Sequence, residues 1–232
     1  FGDGNSSSLQ DPSHQYAAEA VYETKLVITT NNGCQDSIIK QTAVYPLPAV
    51  SFDFNDACFG YEHAFSNNST ISNQHTNNSI DVFDWNFDDG NTSAEEDPTH
   101  TYTNEGSYDV ELTLTSNNGC VDSLTETVTV HPLPVPFFNA DVTASCSPLC
   151  FTLNSESIIS SGSITNYRWL INDSIVQDGS SSMYADCLTN NSTETERYDV
   201  QLITTSNQGC VDSVSADYYL SVFHNPFADF SY

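Results

Sequence analysis

The chain has 232 residues, with 31 acidic and 4 basic side chains and a formal net charge of −27. Binding to nucleic acid requires lysine and arginine to neutralise phosphates, so this composition excludes nucleic acid as a partner and disfavours an anionic lipid surface. No apolar run approaches the roughly 18 residues that span a bilayer, so we expect no direct membrane insertion. The acidity indicates either a solvated, self-repelling surface or the binding of divalent cations by clustered carboxylates.

An internal repeat organises the chain. Cys34 and Cys120, each preceded by Asn-Asn-Gly, are 86 residues apart, and Cys210 follows Cys120 by 90 residues. A fixed period of this size indicates a tandem array of domains. The chain opens on FGDG, which aligns with 87–90, so we expect it to be a window cut from a longer repeat protein. We predict the C-terminal part of a domain at 1–47 (the first repeat), complete domains at 48–133 (the second repeat) and 134–225 (the third repeat), and the start of another domain at 226–232.

In the first repeat, two predicted strands at 22–28 and 38–45 flank the Asn-Asn-Gly-Cys turn at 31–34. The second of these strands must end at the Pro-Leu-Pro of 46–48, because two prolines within three residues fix φ and remove two hydrogen-bond donors. So short a connector predicts a stiff joint between consecutive domains.

The second repeat is the best preserved. Alternate residues of a predicted strand near 108–115 are apolar, which indicates one buried and one wet face. Further strands are predicted near 50–54, 59–65, 82–87 and 121–130, and the Asp-Asp-Gly-Asn of 88–91 predicts a turn with positive φ. Seven or so short strands with no helical period predict a β-sandwich.

The third repeat has diverged from the second. Trp169 takes the place of Trp85, and 198–202 takes the place of 108–112. The Asp-Asp-Gly turn is replaced by 171–173, the Asp-Pro-x-His-x-Tyr segment is lost, and Cys187 stands in that region. The residues predicted to hold the two cores are Trp85, Tyr108, Val110, Leu112 and Trp169.

These motifs carry a family resemblance. Residues 85–90 read WNFDDG, 98–102 read PTHTY and 106–110 read GSYDV. In this order they resemble the PKD (polycystic kidney disease) domain, whose motif is W-D-F-G-D-G, then P-x-H-x-Y, then G-x-Y-x-V-x-L. FGDG at 1–4 and DPSHQY at 11–16 match as well. The resemblance implies an all-β fold of tandem Ig-like (PKD-type) β-sandwich domains arranged as a rod, without catalysis.

The ending Gly-Cys-x-Asp-Ser, at 33–37, 119–123 and 209–213, is similar to PKD-type repeats of very large secreted adhesins in Bacteroidota. Some of these adhesins serve gliding motility and are exported by the type IX system. The resemblance implies a bacterial cell-surface segment that acts as a non-catalytic stalk or filament and projects a distal binding region. Its partners would be neighbouring repeats of the same chain, with lateral self-association or binding to cell-surface proteins as further candidates.

Two other functions remain open from the sequence. The first is a carbohydrate- or protein-binding accessory module of a secreted hydrolase, which an exposed planar row of aromatic side chains would favour. The second is a self-assembling sheath or fibre subunit that uses edge strands or paired faces. No catalytic motif occurs in the sequence, so no catalytic site is predicted.

The seven cysteines recur at matching positions, which indicates a disulfide framework in an oxidising, extracellular compartment. Cys58 begins the second strand of its repeat, and Cys146 is its counterpart in the next. A zinc site on Cys146 and Cys150 is an alternative, although it lacks a second well-spaced pair. We predict three bridges, with the partner of Cys34 outside the chain: Cys58–Cys120, Cys146–Cys210 and Cys150–Cys187.

Asp-Ser followed by an apolar residue occurs four times and is similar to an O-glycosylation signal of Bacteroidota. The alternative is that each Asp-Ser pair begins a strand after a turn. The candidate glycosylation sites are Ser37, Ser123, Ser213 and Ser174.

A calcium ion is the one cofactor considered. Its ligands would be hard oxygens around a single turn, as in some bacterial PKD domains. Asp and Asn are also the usual residues of turns, whatever the metal, and no EF-hand spacing is present. The candidate ligands are Asp88, Asp89, Asn91 and Asp97.

Overall fold

The computed structural model describes residues 1–228, so the end of the predicted segment 226–232 lies outside the described residues. Within that range the chain contains 18 β-strands and no helix, which confirms the all-β prediction. The chain divides into two compact units. Unit 1 comprises Phe1–Asp56, Glu62–Tyr102 and Ser107–Thr129, and unit 2 comprises Ala57–Tyr61, Thr103–Gly106 and the described residues from Val130 onward.

The strands follow the three sequence repeats. The first repeat forms an antiparallel hairpin of β1 (Ala20–Thr29) and β2 (Gln35–Val44). The second repeat forms β3 (Phe52–Phe54), β4 (Ala57–Cys58), β5 (Glu62–Asn67), β6 (Ile80–Asn86), β7 (Thr92–Ser93), β8 (Thr99–Thr101), β9 (Gly106–Ser116) and β10 (Val121–His131). The third repeat forms β11 (Phe138–Ala140), β12 (Ala144–Cys146), β13 (Leu149–Ser155), β14 (Ile164–Ile171), β15 (Ser174–Gly179), β16 (Met183–Leu188), β17 (Glu196–Ser206) and β18 (Val211–Phe223).

The second and third repeats share one sandwich topology. The larger sheet has the order β4-β10-β9-β6-β7 in the second repeat and β12-β18-β17-β14-β15 in the third. The smaller sheet has the order β3-β5-β8 and β11-β13-β16, respectively. The third repeat therefore keeps the fold although its sequence lacks both turn motifs.

The core of unit 1 is the interior of the second repeat. The indole ring of Trp85 is fully buried there and meets the ring of Phe52 edge-on, with 5.0 Å between the centroids. Val110 and Leu112 are also fully buried, as the period-2 pattern predicts. Tyr108 is only half-buried, because its ring lies outside the core and stacks at 4.2 Å on the buried ring of Tyr102.

The core of unit 2 is the interior of the third repeat. Trp169 is fully buried at its centre, and Phe138 packs against it edge-on at 5.5 Å between ring centroids. This aromatic pair reproduces the pair formed by Trp85 and Phe52. The remaining buried members of the cluster come from four strands: Leu149, Phe151, Leu153, Ile171, Val200, Leu202, Leu220 and Val222.

The hairpin of the first repeat has an exposed apolar face. Leu26 and Ile28 on β1 are each 58% exposed, and Ile38 on β2 is also exposed. Their sequence counterparts Leu112 and Leu114 are fully buried in the second repeat. The exposed face thus corresponds to the core-facing side of a complete sandwich.

Candidate functional site: the cysteines and the Asp–His corner

Two disulfides are present, Cys58–Cys210 and Cys150–Cys187, and both lie in unit 2. The first bridge spans 152 residues of sequence and joins a cysteine of the second repeat to one of the third. The second bridge spans 37 residues and lies within the third repeat. Among the described residues the thiols of Cys34, Cys120 and Cys146 are free.

The predicted pairs Cys58–Cys120 and Cys146–Cys210 are wrong, and strand geometry gives the reason. Cys146 lies opposite Phe223 at the end of β18, whereas Cys210 immediately precedes the start of that strand. A strand rises about 3.3 Å per residue, so the two cysteines are about 40 Å apart along β18. Cys58 and Cys120 mark the two ends of β10 in the same way. The two cysteines that recur in each repeat therefore cannot meet.

The predicted Cys150–Cys187 bridge is present and ties two neighbouring strands together. Cys150 on β13 lies directly opposite Cys187 on β16. At the equivalent position of the second repeat, Glu62 on β5 lies opposite Thr101 on β8. Because Cys150 is bonded to Cys187, it is not a ligand for the alternative zinc site.

Side-chain hydrogen bonds in unit 2 accompany the Cys58–Cys210 bridge. The Tyr61 hydroxyl donates to the backbone oxygen of Val211 at 3.3 Å, one residue beyond Cys210. The Ser160 hydroxyl donates to the carboxylate of Glu105 at 2.8 Å. These residues tie the segments 57–61 and 103–106 of the second repeat to residues of the third.

The same Glu–Ser hydrogen bond occurs in unit 1. There the Ser72 hydroxyl donates to the carboxylate of Glu19, and Glu19 precedes Glu105 by one period of 86 residues. Neither pair is predicted by the motifs described above. Their signal is the recurrence of Ile-Ser at 71–72 and 159–160 together with the repeated glutamate.

The Asp-Gly turn and the His of the second repeat form one corner. The Asp89 carboxylate is 2.8 Å from the Nε2 atom of His100, and the His100 ring stacks on Phe87 at 4.2 Å between centroids. The first repeat has the same arrangement, in which Asp3 is 2.7 Å from His14. The two histidines therefore have a structural role in their repeats.

The corner holds Asp89 in its ionised form. Partial burial opposes ionisation, but hydrogen bonds from the backbone N–H of Asn91 and from the side chains of His100 and Asn91 outweigh it, and the pKa of Asp89 is lowered. In the first repeat, hydrogen bonds from the side chain and backbone of Asn5, followed by the contact with His14, lower the pKa of Asp3. Hydrogen-bond donors that favour the charged carboxylate are the common cause.

The four candidate calcium ligands are occupied by separate hydrogen bonds. Asp88 accepts from the backbone N–H of Asp109 at 3.0 Å, and Asp97 accepts from that of Asn67 at 2.8 Å. The side chain of Asn91 donates to Asp89 at 3.1 Å. No group of three or more His, Cys, Asp or Glu side chains that could hold a metal ion occurs within residues 1–228. The contact between Asp89 and Asn91 is that of a hydrogen-bonded turn, whereas Asp88 and Asp97 accept from backbone N–H groups of other segments.

The four candidate glycosylation serines are all exposed. Ser37, Ser123 and Ser213 lie near the start of the last strand of their repeats, and Ser174 begins β15. In the first three, the backbone N–H of the serine donates to the side chain of the preceding aspartate, at 2.8, 2.9 and 2.7 Å. Their modification stays a prediction.

The fold and these sites define a class of protein: a tandem array of disulfide-containing β-sandwich domains. Within the described part of the chain, no helix is long and apolar enough to cross a membrane. The PKD domain family matches residues 1–45 and 51–132, which is more than half of the chain. The chain belongs to the PKD domain family, whose members are non-catalytic accessory domains.

Similar segments occur in secreted bacterial proteases. The microbial collagenase of Vibrio alginolyticus is 43% identical over 49 residues, which make up 21% of this chain and 6% of that protein. The pre-pro-metalloprotease PrtV of Vibrio cholerae is 30% identical over 132 residues, or 56% of this chain and 14% of PrtV. The chain thus spans a small fraction of the length of these relatives. The matches indicate an extracellular protein.

Among solved structures, the PKD1 domain of Vibrio cholerae PrtV is 32% identical and covers 38% of this chain and 98% of that domain, with a TM-score of 0.32. The PKD1 domain of Vibrio anguillarum Epp is 27% identical and covers 36% of this chain and 93% of that domain, with a TM-score of 0.33.

Proposed function

We propose that this chain is a non-catalytic, load-bearing spacer of an exported protein, and that it serves as part of a stalk at a bacterial cell surface. The observation that carries the proposal is the Cys58–Cys210 disulfide, which joins successive repeats covalently. Without it, the backbone connector near Pro132 would be the single covalent link between them. With it, a pull on the chain is transmitted through the bridge.

The bridge limits how far the chain can extend. Cys58 and Cys210 are 152 positions apart in the sequence and close a loop whose ends are 5.6 Å apart, measured between Cα atoms. Tension applied to the ends of the chain passes across this short distance and leaves the loop unloaded. Most of the sandwich cores of the second and third repeats lies inside the loop, whereas β3 of the second repeat and β18 of the third, which carries Leu220 and Val222, lie outside it.

Two further features suit a stalk outside the cell. The net charge of −27 keeps the surface solvated and self-repelling. Exposed Ser37, Ser123 and Ser213 would carry O-linked glycans, which add further solvated bulk to the surface. Adhesion, gliding motility and type IX secretion belong to this proposal as the setting in which such a stalk would act.

Single-molecule stretching between the two ends of the chain tests the proposal. Reducing both disulfides should lengthen the fully unfolded chain by about 500 Å, because each released residue adds up to about 3.6 Å. The C58S/C210S variant should lengthen it by about 400 Å relative to the oxidised chain, because the Cys150–Cys187 loop stays closed. A C146S variant, which removes a free thiol, should leave the oxidised length unchanged.

An oxidised chain that extends as far as the reduced chain would contradict the load-bearing role. So would an oxidised chain whose length changes on reduction only by the contribution of the Cys150–Cys187 loop. In either case the bridge between the repeats would not carry the force.

The second candidate is an accessory module of a secreted protease, which the collagenase and PrtV matches favour. Such a module would retain collagen or another protein substrate. A pull-down with insoluble collagen distinguishes the two functions, since a spacer should remain in the supernatant. Saturable retention of the oxidised chain on collagen would favour the accessory module.

A further inference from the structure

The three Gly-Cys cysteines occupy one recurrent turn. The backbone oxygen of Cys120 accepts from the N–H of Ser116 at 2.9 Å, and the N–H of Cys120 donates to the Ser116 hydroxyl at 3.1 Å. The corresponding distances between Cys210 and Ser206 are 2.8 and 3.1 Å. Cys34 makes the same pair of contacts with Thr30. Cys120 and Cys34 are therefore placed in their repeats as Cys210 is in the third.

The position of Cys58, the other half of the bridge to Cys210, also recurs in the third repeat. Cys58 lies opposite His131, and the next residue, Phe59, donates its N–H to the His131 oxygen at 2.9 Å. Cys146 lies opposite Phe223, and the next residue, Ser147, donates to the Phe223 oxygen at 3.0 Å. Cys146 is thus the equivalent of Cys58, yet its thiol is free and exposed.

A second, independent contact repeats with the same period. In unit 2, Glu105 of the second repeat accepts from Ser160 of the third repeat. In unit 1, Glu19 of the first repeat accepts from Ser72 of the second repeat. The first and second repeats therefore share the contact that accompanies the bridge between the second and third. The sequence does not include the counterpart of Cys58 at the earlier junction, because that position lies 86 residues before Cys58 and therefore ahead of Phe1.

We propose that Cys58–Cys210 is one member of a series of bridges between successive repeats. In this series the Cys58-type cysteine of each repeat bonds to the Gly-Cys cysteine of the following repeat. Cys120 would bond to a Cys58-type cysteine of a complete repeat that precedes it. Cys146 would bond to the Gly-Cys cysteine of a repeat that follows it. Each of the three free thiols is then one half of a bridge of this kind, and the other half lies in a further repeat.

Bridge formation is a balanced oxidation. The Sγ atoms of the two cysteines lose their protons and together two electrons, and one S–S bond forms. A small-molecule disulfide such as oxidised glutathione accepts the electrons and is released as two thiols. An oxidising extracellular compartment supplies the same chemistry.

A chain with a completed first repeat tests the series. Phe1 is the counterpart of Phe87, so a copy of residues 49–86 joined before Phe1 restores one whole repeat, including a copy of Cys58. The copied strands would also cover the exposed face of Leu26 and Ile28. After oxidation in glutathione buffer, we expect non-reduced peptide mapping to link the copied Cys58 to Cys120. Alkylation of Cys120 should be lost, while Cys34 and Cys146 stay alkylatable.

The outcomes separate the two possible pairings. A link between the copied Cys58 and Cys34 would place the bridge within one repeat and would overturn the series. So would free thiols at both the copied Cys58 and Cys120 when the copied tryptophan is buried, as shown by its fluorescence. A matched chain whose copied cysteine is serine should keep Cys120 alkylatable.

A second extended chain tests the other end. Here a copy of residues 49–133 follows Pro226, and Cys146 should bond to the copied Cys120. A free Cys146 beside a folded added repeat would overturn the series at this position. The stretching test of the spacer role depends only on Cys58–Cys210, whereas these tests follow the bonds of Cys120 and Cys146, so failure of the series can be told apart from failure of the spacer role.

Discussion

The second and third repeats have the same sheet order but tether the outer strand of the smaller sheet in different ways. In the second repeat, His100 on β8 is 2.8 Å from Asp89 and stacks on Phe87. In the third, β16 takes the place of β8, and Cys187 is bonded to Cys150. A covalent bond therefore stands where a hydrogen-bonded corner has been lost.

The turn itself is only partly changed between the repeats. Asp88 has a φ of 61° and accepts from the N–H of Asp109 at 3.0 Å. Asn172 has a φ of 46° and accepts from the N–H of Asp199 at 2.8 Å. The side-chain contact that fixes the hairpin to the neighbouring strand is kept, and the Asp–His contact of the corner is lost. This fold therefore tolerates exchange of the tether but retains the positive-φ hairpin contact.

The largest expected effect is the loss of the covalent tether. The C150S/C187S variant should destabilise the third repeat by about 4 kcal/mol, because the bridge closes a 37-residue loop in the unfolded chain. Hydrogen exchange measured by mass spectrometry at increasing urea concentration reports separately on the stability of β17 in the third repeat and of β9 in the second. The C146S variant removes a free thiol and should change neither strand. Equal loss of protection in both strands would contradict a tether confined to the third repeat.

The hydrogen-bonded corner should contribute less. His100→Ala removes the contact with Asp89 and the stacking on Phe87, and we expect it to destabilise the second repeat by about 2 kcal/mol. His14→Ala makes the same change in the first repeat and is the matched control, which should leave β9 unaffected. Adding E62C/T101C to the His100→Ala variant should restore the lost stability. Absence of rescue with the bridge formed would show that the two tethers are not interchangeable.

The two buried tryptophans should respond differently to the same substitution. The indole N–H of Trp85 donates to the Glu95 oxygen at 3.0 Å, whereas that of Trp169 is buried without a partner among the described residues. Trp85→Phe should therefore cost about 1–2 kcal/mol more than Trp169→Phe, because only the former breaks a hydrogen bond. Urea unfolding followed by circular dichroism measures the difference. Equal costs would indicate that the Trp169 N–H has a partner in solution.

The glycine of the turn should have a smaller, purely conformational effect. Gly90 has a φ of 91°, and a Cβ placed there would meet no atom within 4 Å beyond the glycine and its two chain neighbours. Gly90→Ala should cost about 1 kcal/mol, because side chains disfavour this region of φ. Gly179→Ala, also in open space but without a positive φ, is the control and should be nearly neutral in thermal unfolding. A neutral Gly90→Ala would mean that the turn relaxes to another conformation.

The smallest effect should appear as a pH dependence. The pKa of Asp89 is lowered in the folded state, so its contribution to stability is fully present above the unfolded value of about 3.9 and is lost as pH falls through the folded pKa. The destabilisation caused by Asp89→Asn should therefore be largest near neutral pH and shrink under acidic conditions. Thermal unfolding of both proteins across this range measures it. A difference that grows on acidification would have the wrong sign.

The sequence predicted the fold and the core well because both follow from local patterns. The alternation near 108–115 placed Val110 and Leu112 inside, and the repeat placed Trp169 where Trp85 stands. Tyr108 was wrongly predicted to lie in the core because it alternates in phase with Val110 and Leu112. Its ring instead lies at the edge of the core, where it stacks on Tyr102. The Cys150–Cys187 pair could be predicted from the sequence because both cysteines occur in the third repeat and have no counterparts in the second.

The partner of Cys58 could not be read from its own repeat. The predicted bridges within single repeats require the two recurrent cysteines of one domain to lie close together. In the structure these cysteines lie at opposite ends of β10 and of β18. The rod arrangement, the domain boundaries and the glycosylation of Ser37, Ser123, Ser213 and Ser174 stay predictions.

Peptide mapping of the oxidised, alkylated chain without reduction tests the central claim most directly. We expect the Cys58 peptide linked to the Cys210 peptide, Cys150 linked to Cys187, and alkylated Cys34, Cys120 and Cys146. Linked Cys58–Cys120 or Cys146–Cys210 peptides would place the bridges within single repeats. That result would contradict a covalent connection between successive domains.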